Sequence, residues 1–331
     1  ASLRIFGSTV TSAMSASGQS SLYKLRHRPP SDKLVDNGFK NLVVLLALMV
    51  AIILIGIFIV VGSQAAEAIK AFGLNFVFSS KWDPVRDTYG AFTAIYGTLL
   101  TSLLALVLAV PLGVGTAIFL TEDFINGKGR EVISNMVELL AAIPSVVLGL
   151  WAIFVLEPFV RPILMAIHNV LGWIPFFSTV PSGPGVMPAV FILTIMLLPI
   201  ITAISRDSLN QVPQDLRQAA YGIGATRWTS ILRVLVPAAI SGIIGGIMLA
   251  LGRAMGETMA VTMIIGNQTS FNISWFAPGN TIASLIANQF GEAGELQMSA
   301  LMYAALVLMI ITFLVNVLAQ WIVRRLALKY E

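Results

Sequence analysis

The chain has 331 residues, of which 57% are hydrophobic and only 11% are charged. A soluble domain carries about 25% charged residues, so this composition excludes a globule with a water-covered surface. The net charge of +4 is too small and too scattered for a nucleic-acid footprint. With no cysteine, disulfide, zinc-knuckle and thiol chemistry are excluded, and two histidines supply no metal cluster. Neither a metal nor a cofactor is expected. The composition points to an integral membrane protein, and the long apolar runs that follow make an all-α one the expectation.

Residues 1–40 form a polar tail, Ser/Thr-rich over 8–21. The next 20 residues, 42–61, hold no charge. At 1.5 Å per residue they match a hydrocarbon core of about 30 Å. A cleaved leader has an apolar stretch of about 7–15 residues. This run is longer and passes into Gln64-Ala65-Ala66-Glu67, so it reads as a retained first span over 41–62. Further spans are expected over 92–120 and 136–157. The segment 158–188 is broken by Gly172, Pro175, Pro181, Gly183, Pro184 and Gly185, which predicts a loop or re-entrant stretch. A fourth span follows over 186–204, a fifth over 237–265 and a sixth over 299–323. Six spans thus lie within a membrane domain over 41–323, followed by a tail over 324–331. With the N-terminus inside, 15 of the 20 lysines and arginines fall on inside segments and four on outside loops, with Arg253 inside a span. The positive-inside rule therefore favours two cytoplasmic termini.

The cytoplasmic loop 205–236 carries its own helix signal. Pro213 suits a first helical position, and Asp215 suits the positively polarised first turn. Ala219 and Ala220 sustain the helix, while Gly222 and Gly224 end it. On physics alone this is a short helix outside the bilayer, with small residues that permit close approach.

Gln218-Ala219-Ala220, then Gly224, then Val234-Leu235-Val236-Pro237 resembles the EAA motif of ABC-importer permeases. Gln218 stands in place of the motif's Glu, and Val234 and Val236 replace its Ile and Leu, while Ala219, Ala220, Gly224 and Pro237 match. Arg253-Ala254-Met255-Gly256-Glu257-Thr258-Met259-Ala260-Val261 resembles the corresponding segment of PstC-type permease subunits of bacterial phosphate ABC transporters. Ile143-Pro144-Ser145-Val146-Val147-Leu148-Gly149-Leu150-Trp151 and Tyr221-Gly222-Ile223-Gly224-Ala225-Thr226-Arg227-Trp228 are similar to that family too. The resemblance implies a type I ABC-importer permease architecture in the bacterial inner membrane, surrounded by lipid. It implies inorganic phosphate as cargo and a coupling helix that docks on a cytoplasmic ATPase through Gln218, Ala219, Ala220, Gly222, Gly224 and Pro237. The implied partners are a PstA-like second permease, a PstB-like ATPase dimer and a PstS-like extracytoplasmic phosphate-binding protein.

Arg253 and Glu257 lie in the expected fifth span. A charge at the bilayer centre costs about 2.5–3.5 kcal/mol, so such groups face a bundle interior or a pathway. Four residues apart on a helix, they would share a face. One reading is a buried pair that fixes packing. The other, which the resemblance favours, is a transport site in which Arg253 meets phosphate through its planar fork. There Glu257 tunes the cation and Thr258 adds a hydroxyl. Gly242 with Gly246, and Gly252 with Gly256, have the four-residue spacing of close helix contacts, within the chain or with a partner permease. His168 reads as an interfacial residue, and Glu138 and Glu157 as helix-end markers. Gly127-Lys128-Gly129 fails the nucleotide-loop pattern, so the chain is not expected to be an enzyme, and any ATP hydrolysis falls to a partner. An importer of another oxyanion, such as molybdate or sulfate, and a self-sufficient secondary transporter or channel are the alternatives.

Overall fold

The computed structural model describes residues 30–122, 124 and 126–327. Most of the 1–40 tail and the end of the 324–331 tail lie outside the described residues. The chain divides into two units, Ala1–Ile59 and Val60–Glu331. The described part of the first unit is the greater portion of helix α1, Pro30–Gln64. Among the described residues six helical stretches are long and apolar enough to cross a membrane: Asp36–Gln64, Phe92–Thr121, Ser145–Leu171, Val186–Asn210, Arg227–Gly256 and Glu295–Trp321.

The centre of the second unit is the pairing of α4, Phe92–Thr121, with α8, Val186–Asn210. Their contact is close because small and hydroxylated residues lie between them. A Cβ on Gly113 would fall 2.8 Å from Ile201. The Thr202 hydroxyl donates to the Gly113 carbonyl at 3.2 Å, and that of Thr194 to Val190 at 2.8 Å. Bonding to nearby carbonyls satisfies these two hydroxyls in an apolar surrounding, whereas the buried Ser205 hydroxyl of α8 has no partner among the described residues. Ala105, Ala109, Ile192, Leu193, Leu197 and Ile201 fill the seam. Pro111 in α4 and Pro199 in α8 lie within the helices, as neighbouring helices permit in membrane proteins.

A cap covers the start of α4. It comprises α2, Ala66–Phe72, α3, Asn75–Phe78, and the turn that follows. Phe76 stacks on Tyr303 with ring centroids 4.4 Å apart, and the Trp82 indole donates to Gln289 Oε1 at 2.7 Å. Tyr303 lies in α14, Glu295–Ala327, and Gln289 ends α13, Ile282–Gln289. Burial, then the hydrogen bond to Asp87, pushes the Tyr89 phenol above its usual range.

The expected third span, 136–157, is divided. Helix α5, Gly127–Ala142, ends at Ile143, whose backbone is extended (ψ 127°), and α6 starts afresh at Ser145–Trp151. Pro144 causes the break, since proline disfavours a helical residue before it. A π-helical turn over Ala152–Leu156 then joins α6 to α7, Glu157–Leu171. The segment 158–188 is therefore helical through Leu171. Only the remainder folds back, held by Trp275 N–H to Phe176 O at 2.8 Å and Gly185 N–H to Ile264 O at 2.8 Å.

The expected fifth span, 237–265, is also shifted. Helical structure starts at α10, Arg227–Ser230, passes through a π-helical turn, Ile231–Leu235, and continues as α11, Val236–Gly256. Pro237 explains the turn: it has no N–H for a regular bond, and a π turn relieves the clash. The helix stops at Glu257 (ψ 121°), and α12, Met259–Ile264, follows as a separate piece. The loop expected over 205–236 shortens from both sides, because Arg206 and Asp207 stay in α8 and Arg227 already starts the next helix. Charge ended the apolar run there, but it did not end the helix.

Candidate functional site

The first candidate site is an open cavity of about 810 Å³ along α11, bordered by Ile200 of α8 and by Asn316 and Gln320 of α14. Ser241, Gly245 and Gly252 supply a small-residue face from α11, and Arg253 is the one charged group among the lining residues. A Cβ on Gly252 or Gly256 would meet nothing within 4 Å, and neither would one on Gly245. Gly242 and Gly246 serve packing instead: a Cβ on Gly242 would fall 2.1 Å from Ser208 Oγ, and one on Gly246 3.0 Å from Ile204. The two glycine pairs thus divide, one closing α11 onto α8 within the chain and the other left open.

Arg253 is exposed in this chain, whereas Glu257 and Thr258 are half-buried. The expected Arg253–Glu257 pairing is absent from the ion pairs among the described residues. The helix break is the reason, because the four-residue rule ends at Gly256. Glu257 instead accepts the Ala260 N–H at 3.4 Å, where a carboxylate suits the polarised start of α12. The Thr258 hydroxyl donates to Gly256 O at 3.1 Å, so its proton is already committed. Of the three residues singled out from sequence, only Arg253 lines the cavity.

Residues that sequence reading overlooked stand in the same cavity. Asn316 and Gln320 of α14 line it with Arg253. They are four apart and so share a helix face. Their signal was present: two amides inside an apolar span.

The second candidate site is α9, Gln214–Gly222, the helix expected between spans four and five. Pro213 occupies its N-cap (ψ 139°), with Asp215 in the first turn. Gly224 has φ +83°, a left-handed conformation that glycine adopts without penalty. Its N–H donates to Tyr221 O at 2.9 Å, and the Ala225 N–H to Ala220 O at 3.0 Å, which closes the helix end. Gln218, Ala219, Gly222 and Gly224 are exposed, and Ala220 is buried. Pro237 is half-buried in the helix that begins at Arg227. It shapes that helix, and it does not stand on the α9 surface.

An ion pair between distant residues fixes α9. Arg217 Nη1 lies 2.5 Å from Glu122 Oε1, and its Nη2 donates to Leu209 O at 3.2 Å. The Glu122 side chain is 8% exposed and that of Arg217 21%. The helix is thus tied to the end of α4 and the end of α8 through one guanidinium. Beside it, the Arg227 guanidinium sits 3.9 Å over the Phe124 ring, and Phe124 packs on Trp228 at 5.4 Å. Glu157, read as a helix-end marker, is buried and forked to Arg161 at 2.6 and 2.8 Å. Glu138 pairs with Arg206 at 3.9 Å. His168 Nδ1 meets Phe177 O at 2.7 Å.

The model of the family described as "Binding-protein-dependent transport system inner membrane component" matches residues 109–329. The chain is 44% identical over 286 residues to the phosphate transport system permease protein PstC of Mesorhizobium japonicum, covering 85% of this chain and 87% of that protein. It is 44% identical over 297 residues to the protein of the same name from Haemophilus influenzae, covering 88% and 94%. A chain of the bacterial alginate ABC transporter, solved with an alginate pentasaccharide-bound periplasmic protein, superposes with a TM-score of 0.59 at 16% identity, covering 89% of this chain and 97% of that one. This last likeness is one of fold. The chain belongs to the family of binding-protein-dependent transport system inner membrane components, as a PstC-type permease with the type I ABC-importer fold.

Proposed function

We propose that this chain is the phosphate-translocating permease subunit of an ATP-driven importer, forming half of the pathway beside a PstA-like second permease. The observation that carries the reading is the α11 cavity, in which a lone guanidinium faces no carboxylate among its lining residues. A guanidinium presents a planar fork that matches two phosphate oxygens. The relatives named for phosphate transport support the choice of anion over molybdate or sulfate.

The chain is a multi-pass membrane subunit, and its family works with a further permease, an ATPase and an extracytoplasmic binding protein. In this reading the ATPase is a PstB-like dimer docked on α9, and the binding protein is PstS-like. The sequence contains no Gly-x-x-x-x-Gly-Lys-[Ser/Thr] loop, so hydrolysis belongs to the ATPase. The bias of lysine and arginine supports an orientation with both termini and α9 in the cytoplasm. Arg253 is the transport cation, while Glu257 and Thr258 hold the helix break beside it.

The test is labelled-phosphate uptake by the reconstituted four-component system, normalised to assembled complex. Because Glu257 does not pair with Arg253, Arg253→Ala leaves no orphaned carboxylate, and assembly should stay normal while uptake is lost. Arg253→Lys keeps the charge without the fork and should retain about a tenth of uptake or less. Near-wild-type uptake by assembled Arg253→Ala would remove the pathway role.

A further inference from the structure

Uncharged polar side chains share the cavity with Arg253. An amide inside an apolar span is costly unless it meets a partner or water; Asn316 is half-buried within the span, and Gln320 is exposed one turn on, near its end at Trp321. Among the described residues neither Asn316 nor Gln320 has a hydrogen-bond partner within the chain. Both face the cavity that Arg253 enters, with Ser241 on the opposing helix. Ser241 is 12 residues from Arg253, or about 18 Å along α11. Asn316 is 21 residues, or about 32 Å, from the Glu295 start of α14, which packs beside the cap. Ala239 and Ile243, on either side of Ser241, pack with Ala117 and Leu209 near the ends of α4 and α8 away from the cap, so Ser241 lies farther from the cap than Arg253, and the two amides lie in the second half of α14.

We propose that Asn316 and Gln320, with Ser241, form a neutral phosphate-binding station that receives the anion from Arg253. This rests on the phosphate reading above and deepens it.

The chemistry fits the position. Each amide offers two N–H donors and one carbonyl acceptor, and serine adds a hydroxyl that does both. Inorganic phosphate near neutral pH carries at least one O–H beside its acceptor oxygens. It therefore needs an acceptor as well as donors, and a guanidinium has only donors. The amides supply both and add no charge. Passage requires sites strong enough to admit the ion and weak enough to release it. A second cation would hold the anion, and a bare apolar wall would stop it. Neutral dipoles meet both limits.

The experiment uses the reconstituted complex and labelled phosphate. Asn316→Asp combined with Gln320→Glu keeps the size of both side chains and places carboxylates on the anion's route. The expected result is normal assembly with uptake lowered about tenfold or more. Asn316→Leu removes the dipole without adding charge and should lower uptake with assembly intact. Uptake within about twofold of wild type in the acidic double variant would overturn the station. So would failure of both the acidic and the Leu variants to assemble with the second permease, since the amides would then serve that contact. Failure of the station and of the phosphate reading are separable. If Arg253→Ala abolishes uptake while the acidic double variant transports normally, only the station falls. If the wild-type complex imports no phosphate, the reading beneath it falls.

Discussion

The Arg217–Glu122 pair is the tether of α9, and removing Arg217 should loosen the helix without unfolding the spans. Glu122 is 7% exposed, so Arg217→Ala leaves a carboxylate with little access to water. Breaking a buried pair by removing one partner costs about 3–5 kcal/mol. Arg217 itself is 21% exposed, so water can enter the vacated space, and the lower end, about 3 kcal/mol, applies. The helix has little else to absorb that loss, because Ala220 is its one buried residue. The bond from Arg217 to Leu209 O goes with the side chain. At 1.4 kcal/mol per decade, local opening of α9 should rise about a hundredfold. Amide hydrogen exchange on the purified complex reads this directly: protection over 214–222 should fall by about two decades and protection in α4 and α8 should hold. If α9 is the docking element, hydrolysis should also become poorly coupled to uptake. Glu122→Gln with Arg217→Met removes both charges and should recover much of the protection. Protection in Arg217→Ala within about threefold of wild type would show that the pair does not hold the helix.

Three further outcomes are expected. Ala219 is exposed on α9, so Ala219→Trp should reduce ATPase association or uncouple hydrolysis at normal membrane abundance; wild-type transport would remove the docking assignment. Single cysteines at the exposed positions Ser80 and Asn272 should react with an impermeant thiol reagent from outside, and one at Asn210 should not; external labelling at Asn210 would reverse the proposed orientation. A Cβ on Gly97 would fall 1.9 Å from the Asn280 carbonyl oxygen, and backbone cannot step aside as a side chain can. Gly97→Ala should therefore destabilise the fold by at least the 1–3 kcal/mol or so typical of overpacking, read as a lower melting temperature in detergent, and an unchanged melt would contradict the packing of α4 on the turn before α13.

Apolar length was the most legible feature of the sequence. The helix starts expected at 92 and 186 coincide with those of α4 and α8, because a span must satisfy its backbone internally and so reads as a long uncharged run. The same reading misplaced boundaries wherever helix and apolar run part company. Helix α8 carries Arg206 and Asp207 before it ends at Asn210, and α5 ends within an uncharged stretch because of Pro144. The Arg253–Glu257 inference failed for a related reason. Spacing of four places two residues on one face only if the helix persists, and Gly256 followed by Thr258 gave too little warning of a break. The Arg217–Glu122 pair was invisible because 95 residues separate its members, and no periodicity links them. Asn316 and Gln320 were readable in principle, but polarity without a charge attracts little notice in a span.

The α11 helix connects the two candidate sites physically. It carries Arg253 near one end, and at the other it continues through the π turn, Ile231–Leu235, into α10. The turn exists because Pro237 interrupts the regular bonding, and such turns are common at functional positions. The opposite end stops at Glu257, so neither end of α11 is locked to its neighbour by an unbroken α-helical ladder. Along its length, in contrast, Gly242 and Gly246 seat it firmly against α8. A helix with irregular joints at both ends and tight packing along one side is suited to move as a rigid piece rather than to bend. Under the proposed function, force applied where α9 is tethered has a continuous path through α10 and the π turn to the cavity that holds Arg253. That path predicts a specific separation of effects: loosening α9 at Arg217 should change coupling while leaving the anion chemistry intact, and altering Arg253 should do the reverse.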